Sequence, residues 1–120
     1  MRAIVRGVSD SFEKALASYF GKGPTDLEEA RNQHSAYVSK LREFGVLVKE
    51  LPSHSDYPDC CFVEDHAVVA GDSALITNAG HDTRLGEKKA VEEALSSDLT
   101  LEYMDTSARM DGGDVLKFGN

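Results

Sequence analysis

Apolar and polar residues alternate along this chain in two rhythms, one of strands and one of helices. The run over 3–8 is short and apolar and predicts a strand. Ser9-Asp10-Ser11 are helix-capping types, so 12–20 reads as a short helix, which Gly21-Lys22-Gly23-Pro24 breaks. Thr25 then opens the clearest helix, with Glu28 three residues on as a capping box. Leu27, Ala30, His34, Tyr37, Val38, Leu41 and Phe44 fall on one face of it, and Gly45 closes it. The stretch 46–51 predicts a strand and 52–58 a loop. Segments 67–70 and 74–77 predict a hairpin turned by Gly71-Asp72-Ser73. A loop over 78–83 leads to a helix over 85–95, then a strand over 99–104. Segment 115–118 reads as the start of one more strand.

The order is strand, helix, helix, strand, then strand, strand, helix, strand. The second group, 62–104, is a compact ββαβ module, and the first reads as a variant of it without visible sequence identity. The fold class is α/β. A strand over 115–118 with nothing after it would leave an open edge. The expectation is therefore one partial domain spanning 1–120, the N-terminal part of something longer.

Charge narrows the functions. The chain has 120 residues, a formal net charge of -8 and a pI near 4.9, which argues against nucleic-acid binding. No apolar run approaches membrane-spanning length, and the start of the chain turns polar too quickly for a signal peptide. A cytoplasmic location is the expectation. The two cysteines are adjacent, form no disulfide framework, and read as reduced packing residues. No His/Cys spacing typical of zinc and no glycine-rich phosphate loop is present, so no metal is expected.

The chemistry gathers in two acidic clusters. Pro58-Asp59-Cys60-Cys61-Phe62-Val63-Glu64-Asp65 runs directly into an apolar strand, and Asp111-Gly112-Gly113-Asp114 precedes Val115-Leu116. Carboxylates at the mouth of a core strand lose solvation unless a cation meets them, so the pair suggests one pocket for a cation. Solvated loop acids are an equally open reading of the first cluster, and Asp-Gly-Gly-Asp is a common turn composition. Strict alternation would send Glu64 and Asp65 to opposite faces, so a shared site needs irregular backbone or a bulge at 62–65. Arg84, between a loop and a helix, reads as solvated or as a bidentate carboxylate ligand. His34 reads as half-buried packing, His54 and His81 as loop residues, and His66 as a neighbour able to touch the acid pair.

Pro58-Asp59-Cys60-Cys61-Phe62-Val63-Glu64-Asp65-His66-Ala67-Val68-Val69 closely resembles the dimethylarginine dimethylaminohydrolases. So do Val5-Arg6, Arg31 with Gln33-His34 and Tyr37-Val38, Glu50-Leu51-Pro52, Ala74-Leu75-Ile76-Thr77, and Asp111-Gly112-Gly113-Asp114-Val115-Leu116. The resemblance implies a pentein-type propeller of five ββαβ-like modules, of which this chain would supply about the first two. It also implies hydrolysis of asymmetric dimethylarginine or monomethylarginine to citrulline and dimethylamine or methylamine, a reaction of arginine metabolism and nitric oxide regulation. In the implied reaction a cysteine thiolate attacks the guanidinium carbon, a histidine protonates the leaving amine, and no cofactor is required. By the same resemblance Asp65 and Asp111 hold the guanidinium, and Asp59, Phe62 and Glu64 line the substrate site. Arg84 grips the substrate carboxylate, and Val8 is the apolar residue of a loop over the entrance.

None of the four histidines and two cysteines matches the family's catalytic pair, which is expected beyond Asn120. The chain would then bind a small methylated arginine without hydrolysing it, and the fragment would self-associate. Two other readings stand beside this one: a non-catalytic guanidine-binding module, and a relative of the arginine deiminases or amidinotransferases.

Overall fold

The computed structural model describes residues 1–16 and 25–118. Two compact units divide the chain, Met1–Cys61 and Phe62–Asn120. In the first, strand β1 (Arg2–Arg6) pairs in parallel with β2 (Leu47–Leu51), Arg2 opposite Leu47 and Arg6 opposite Leu51. Parallel neighbours need a crossover, and helix α1 (Leu27–Glu43) supplies it and packs on β2. Val5, Val8, Val38, Val46 and Cys60 are the buried apolar residues of this unit. Of the predicted apolar face of α1, Val38 is buried and Leu27, Ala30, His34 and Leu41 are half-buried, while Tyr37 and Phe44 are exposed.

The cap of α1 lies one residue later than the sequence suggests. Asp26, not Thr25, is the N-cap, and its carboxylate accepts the Glu29 N–H at 2.9 Å. Asp-x-x-Glu competes with Thr-x-x-Glu here, and the carboxylate adds a favourable charge at the positive end of the helix. The C-terminus is as expected. Gly45 has φ +76°, Gly45 N–H bonds the Arg42 carbonyl and Val46 N–H reaches back to the Leu41 carbonyl. The helix expected over 12–20 is a single 3-10 turn, Phe12–Lys14, as far as residue 16, and its later part with the breaker Gly21-Lys22-Gly23-Pro24 lies outside the described residues.

In the second unit, β3 (Ala67–Ala70) pairs antiparallel with β4 (Ser73–Ile76), and β4 pairs in parallel with β5 (Thr100–Tyr103). Gly71 and Asp72 make the two-residue turn, with Gly71 at φ +57°, as such a hairpin requires. Helix α2 (Lys88–Leu95) is the crossover from β4 to β5 and buries Val91 and Ala94 against the sheet side that carries Ala74 and Ile76. This is the ββαβ module read from the sequence. Ser73, expected in the turn, opens β4 instead, and two differences are larger. Residues 85–87 form turns, so α2 starts later than 85. Residues 115–118 form no strand: Val115 is extended, at φ -93° and ψ 113°, but no described strand pairs with it.

The cap register gives a stability test. Asp26→Ala is expected to cost about 0.5–2 kcal/mol, whereas Thr25→Ala should stay within about 0.5 kcal/mol of the parent. Urea unfolding of the two variants decides it, and a larger loss for Thr25→Ala would restore the earlier cap.

Candidate functional site

The acid pair sits on irregular backbone, as a shared site requires. Val63–His66 is a 3-10 turn between the Cys61 region and β3. Thr77, directly after β4, fixes that turn: its hydroxyl donates to the Asp65 carbonyl at 2.6 Å, and its N–H donates to the His66 carbonyl at 3.1 Å. The side chains of Asp65 and His66 therefore start from a backbone clamped by the central strand.

Asp111-Gly112-Gly113 is carried to the same place by Asn78, a buried residue following β4. Asn78 Nδ2 donates to the carbonyls of Asp105 and Ala108 at 2.9 and 3.2 Å, and the Met110 N–H donates to the Asn78 carbonyl at 2.8 Å. The 3-10 turn Gly112–Asp114 then packs on the acid turn. A Cβ on Gly112 would lie 2.3 Å from the Glu64 carbonyl oxygen, so glycine is a steric requirement of this approach. Gly113 N–H donates to Asp65 Oδ1 at 3.3 Å, and the Gly80 N–H donates to Asp111 Oδ1 at 2.9 Å. Within the second unit, the two acidic clusters are neighbours.

Arg84 bonds the first of these clusters and is not a solvated arginine. It ends the 3-10 turn Asp82–Arg84 and is only 7% exposed. Its Nη1 donates to Asp65 Oδ2 at 2.5 Å, Nη2 to Glu87 Oε2 at 2.9 Å and to the Phe62 carbonyl at 3.2 Å, and Nε to Glu87 Oε2 at 3.2 Å. Burial works against its charge, but the bonds to Glu87 and Asp65 more than offset that and hold the guanidinium above the ordinary arginine range. Glu87, 1% exposed, also accepts from His66 Nε2 at 2.8 Å. Burial alone would raise its carboxyl, yet the hydrogen bonds from His66 and Arg84, with the Arg84 charge, hold it below the usual 4.5.

His66 therefore touches Glu87 and not the acid pair. Its Nδ1 is buried and has no hydrogen-bond partner among the described residues. Glu87 is not among the residues the sequence singles out; it falls in the helix expected over 85–95. The signal was present in Arg84-x-x-Glu87, a spacing of three that places the two charges side by side.

The remaining site candidates are placed as follows. Phe62 is partly exposed and supplies its carbonyl to Arg84, and Glu64 is exposed beside Gly113. In the first unit, Val8 is buried, and Asp59 is buried and accepts the Leu16 N–H at 3.0 Å. Cys60 is fully buried with its thiol donating to the Gly7 carbonyl at 3.7 Å. Among the described residues no group of three or more His, Cys, Asp or Glu could hold a metal ion, and no helix is long and apolar enough to cross a membrane.

Residues 8–117 match a family model described as N,N dimethylarginine dimethylhydrolase, eukaryotic. The chain belongs to this dimethylarginine hydrolase family. A Streptomyces coelicolor N(G),N(G)-dimethylarginine dimethylaminohydrolase is 35% identical over 120 residues, covering 99% of this chain and 46% of the relative. A Homo sapiens protein named putative hydrolase DDAH2 is 36% identical over 121 residues, covering 98% of this chain and 42% of that one. The fold matches the dimethylarginine dimethylaminohydrolase of Pseudomonas aeruginosa, solved as a mutant complexed with citrulline. The TM-score is 0.93 at 29% identity, over 98% of this chain and 47% of that one. The chain thus spans less than half the length of these relatives. The expected mixed α/β fold, part of a pentein-type propeller, is the fold of this dimethylarginine hydrolase family.

Two measurements check the geometry. Gly112→Ala should destabilise the dimethylarginine hydrolase fold by about 1–3 kcal/mol, because the methyl meets backbone that cannot rotate away. A melt unchanged from the parent would show that the two acid turns do not approach as described. The second is pH. Glu87 titrates lower in the folded chain than unfolded, so its stabilisation is full above about 4.5 and is lost as pH falls through the folded value. The stability gap between the parent and Glu87→Gln should hold steady from about pH 7 to about pH 5 and shrink below that. A gap that does not shrink at lower pH would contradict the ionised, bonded Glu87.

Proposed function

We propose that this chain supplies the carboxylate half of a site that hydrolyses methylated arginine, and that the nucleophile and the general acid come from residues outside it. The observation that carries the reading is Asp65. It is an ionisable group on a clamped turn, bonded to Arg84 and Gly113, and its side chain remains 19% exposed. A carboxylate offers about four lone-pair directions, and a planar guanidinium is the cation that best uses two carboxylates at once. Asp65 and Asp111 would orient the guanidinium, with Glu64 and Phe62 flanking it.

The reaction is hydrolysis of asymmetric dimethylarginine or monomethylarginine to citrulline and the methylated amine. A thiolate adds to the guanidinium carbon, and the amine leaves with a proton from an imidazolium. Water then adds to the thiouronium carbon and expels the thiolate. Fixing the guanidinium plane against two carboxylates holds that carbon in line for attack.

Of this chain's own thiols and imidazoles, Cys60, His66, His54 and His81 are engaged by their neighbours. Cys60 is enclosed and His66 is committed to Glu87. His54 stacks near Tyr57, and His81 Nδ1 is within 2.9 Å of the Thr83 hydroxyl. Arg84 would reach a substrate carboxylate only by giving up one of its internal partners. The chain would therefore be inactive alone. As separate parts of the proposal, it would act in the cytoplasm and associate with itself through exposed apolar residues such as Leu116 and Phe118, 88% and 97% exposed.

Purified 120-residue chain should release no citrulline from dimethylarginine, monomethylarginine or arginine. Turnover abolished by Cys60→Ser or Cys61→Ser would overturn the proposal. In an active protein containing these residues, Asp65→Asn should lower kcat/KM by about one to two decades, the worth of one charged hydrogen bond. A value within about twofold of the parent would remove Asp65 as a guanidinium ligand. Preference for arginine over its methylated forms would favour the deiminase reading.

A further inference from the structure

We propose that Glu87 and His66 are positioning residues: they let Arg84 fix the place of Asp65 without cancelling its charge. This rests on the reading that Asp65 receives a guanidinium.

Arg84 carries one positive charge and is bonded to two carboxylates, Asp65 at 2.5 Å and Glu87 at 2.9 Å. The three groups together hold one surplus negative charge. Exposure decides where an outside cation can meet it. The Glu87 side chain is 1% exposed and the Asp65 side chain 19% exposed. The surplus is accessible at Asp65 alone. Without Glu87 the arginine would serve Asp65 as a simple ion pair, neutral overall and a poor ligand for a second cation. Without Arg84 the acid would be charged but not held. Glu87 reconciles the two needs by taking a share of the same guanidinium.

His66 in turn orients Glu87. An ionised carboxylate 2.8 Å from Nε2 places the ring proton on that nitrogen, donated to Oε2. The other nitrogen, Nδ1, is buried with no partner among the described residues. Burying an unpaired polar nitrogen costs free energy that an apolar side chain of similar size would avoid. The hydrogen bond to Glu87 is a gain that offsets it. Arg84 Nη2 lies 3.4 Å from the same Nε2, and Arg84 and His66 both bond Glu87 Oε2, so the three side chains meet at one carboxylate oxygen.

The test uses methylguanidinium as probe, titrated into the 15N-labelled 120-residue chain and followed at the Gly113 amide, which bonds Asp65. Glu87→Gln keeps shape but removes the charge. The expected result is affinity weaker by about tenfold or more, with partial recovery in Glu87→Asp. A folded Glu87→Gln variant within about twofold of the parent overturns the proposal. Should Glu87→Gln not fold, His66→Gln and His66→Val replace it. Gln retains an N–H for Glu87 and should bind like the parent, and Val should bind more weakly. Equal affinities for the two overturn the proposal. A parent chain that shows no saturable shift overturns the reading of Asp65 as a guanidinium ligand. The exchange of the Arg84 Nε–H then decides this inference separately. Strong protection supports it, and exchange as fast as in a solvated arginine overturns it.

Discussion

Arg84 is the constraint on which the second unit is arranged. A guanidinium this deeply enclosed is tolerable only if its donors are met by charge, and two carboxylates and a carbonyl meet them. Those three acceptors come from the turn before β3 and from the start of α2. Arg84 itself comes from the turn after β4. One side chain therefore fixes where the hairpin, the crossover helix and the acid turn lie relative to each other. Removing one partner from such an arrangement leaves a buried charge uncompensated, which typically costs about 3–5 kcal/mol.

The glycine turn adds the second acid at little conformational expense. Asn78 gathers the loop after β5, and the absence of a side chain at Gly112 lets Asp111 approach backbone to backbone. The site is thus built from the C-terminal end of one central strand, with Thr77 and Asn78 consecutive in sequence and each clamping one acid turn. Polar residues at the end of a buried strand would be unfavourable unpaired. Here they are the fasteners, which explains why Thr77, Asn78, Arg84 and Glu87 are all buried.

Much of this was legible in the residues. Alternation gave β1 to β5 within a residue or two, and glycine chemistry gave the closures at Gly45 and Gly71. The acid pair demanded irregular backbone and has it. Three things were hidden. Asp26 and Thr25 offer competing caps one residue apart, and only the backbone decides between them. Segment 115–118 has strand composition, but a strand exists only where another pairs with it. Arg84 and Glu87 look like surface charges because sequence periodicity reports apolar burial and is blind to a charge buried against a charge. For the same reason His66, next to two acids in sequence, pairs with a third acid 21 residues away. Membership of the dimethylarginine hydrolase family, by contrast, was carried by contiguous motifs and could be read directly.

The central claim is that Arg84 binds Asp65 and Glu87 as one unit. A double-mutant cycle measures this directly, with Arg84→Met, Glu87→Gln and the pair compared in urea unfolding. The account predicts strong coupling: once Arg84 is gone the buried Glu87 keeps its His66 bond but has lost the arginine charge, so Glu87→Gln should then recover about 1 kcal/mol or more instead of costing stability. Losses that add to within about 0.5 kcal/mol would show that the two residues act independently, and would contradict it.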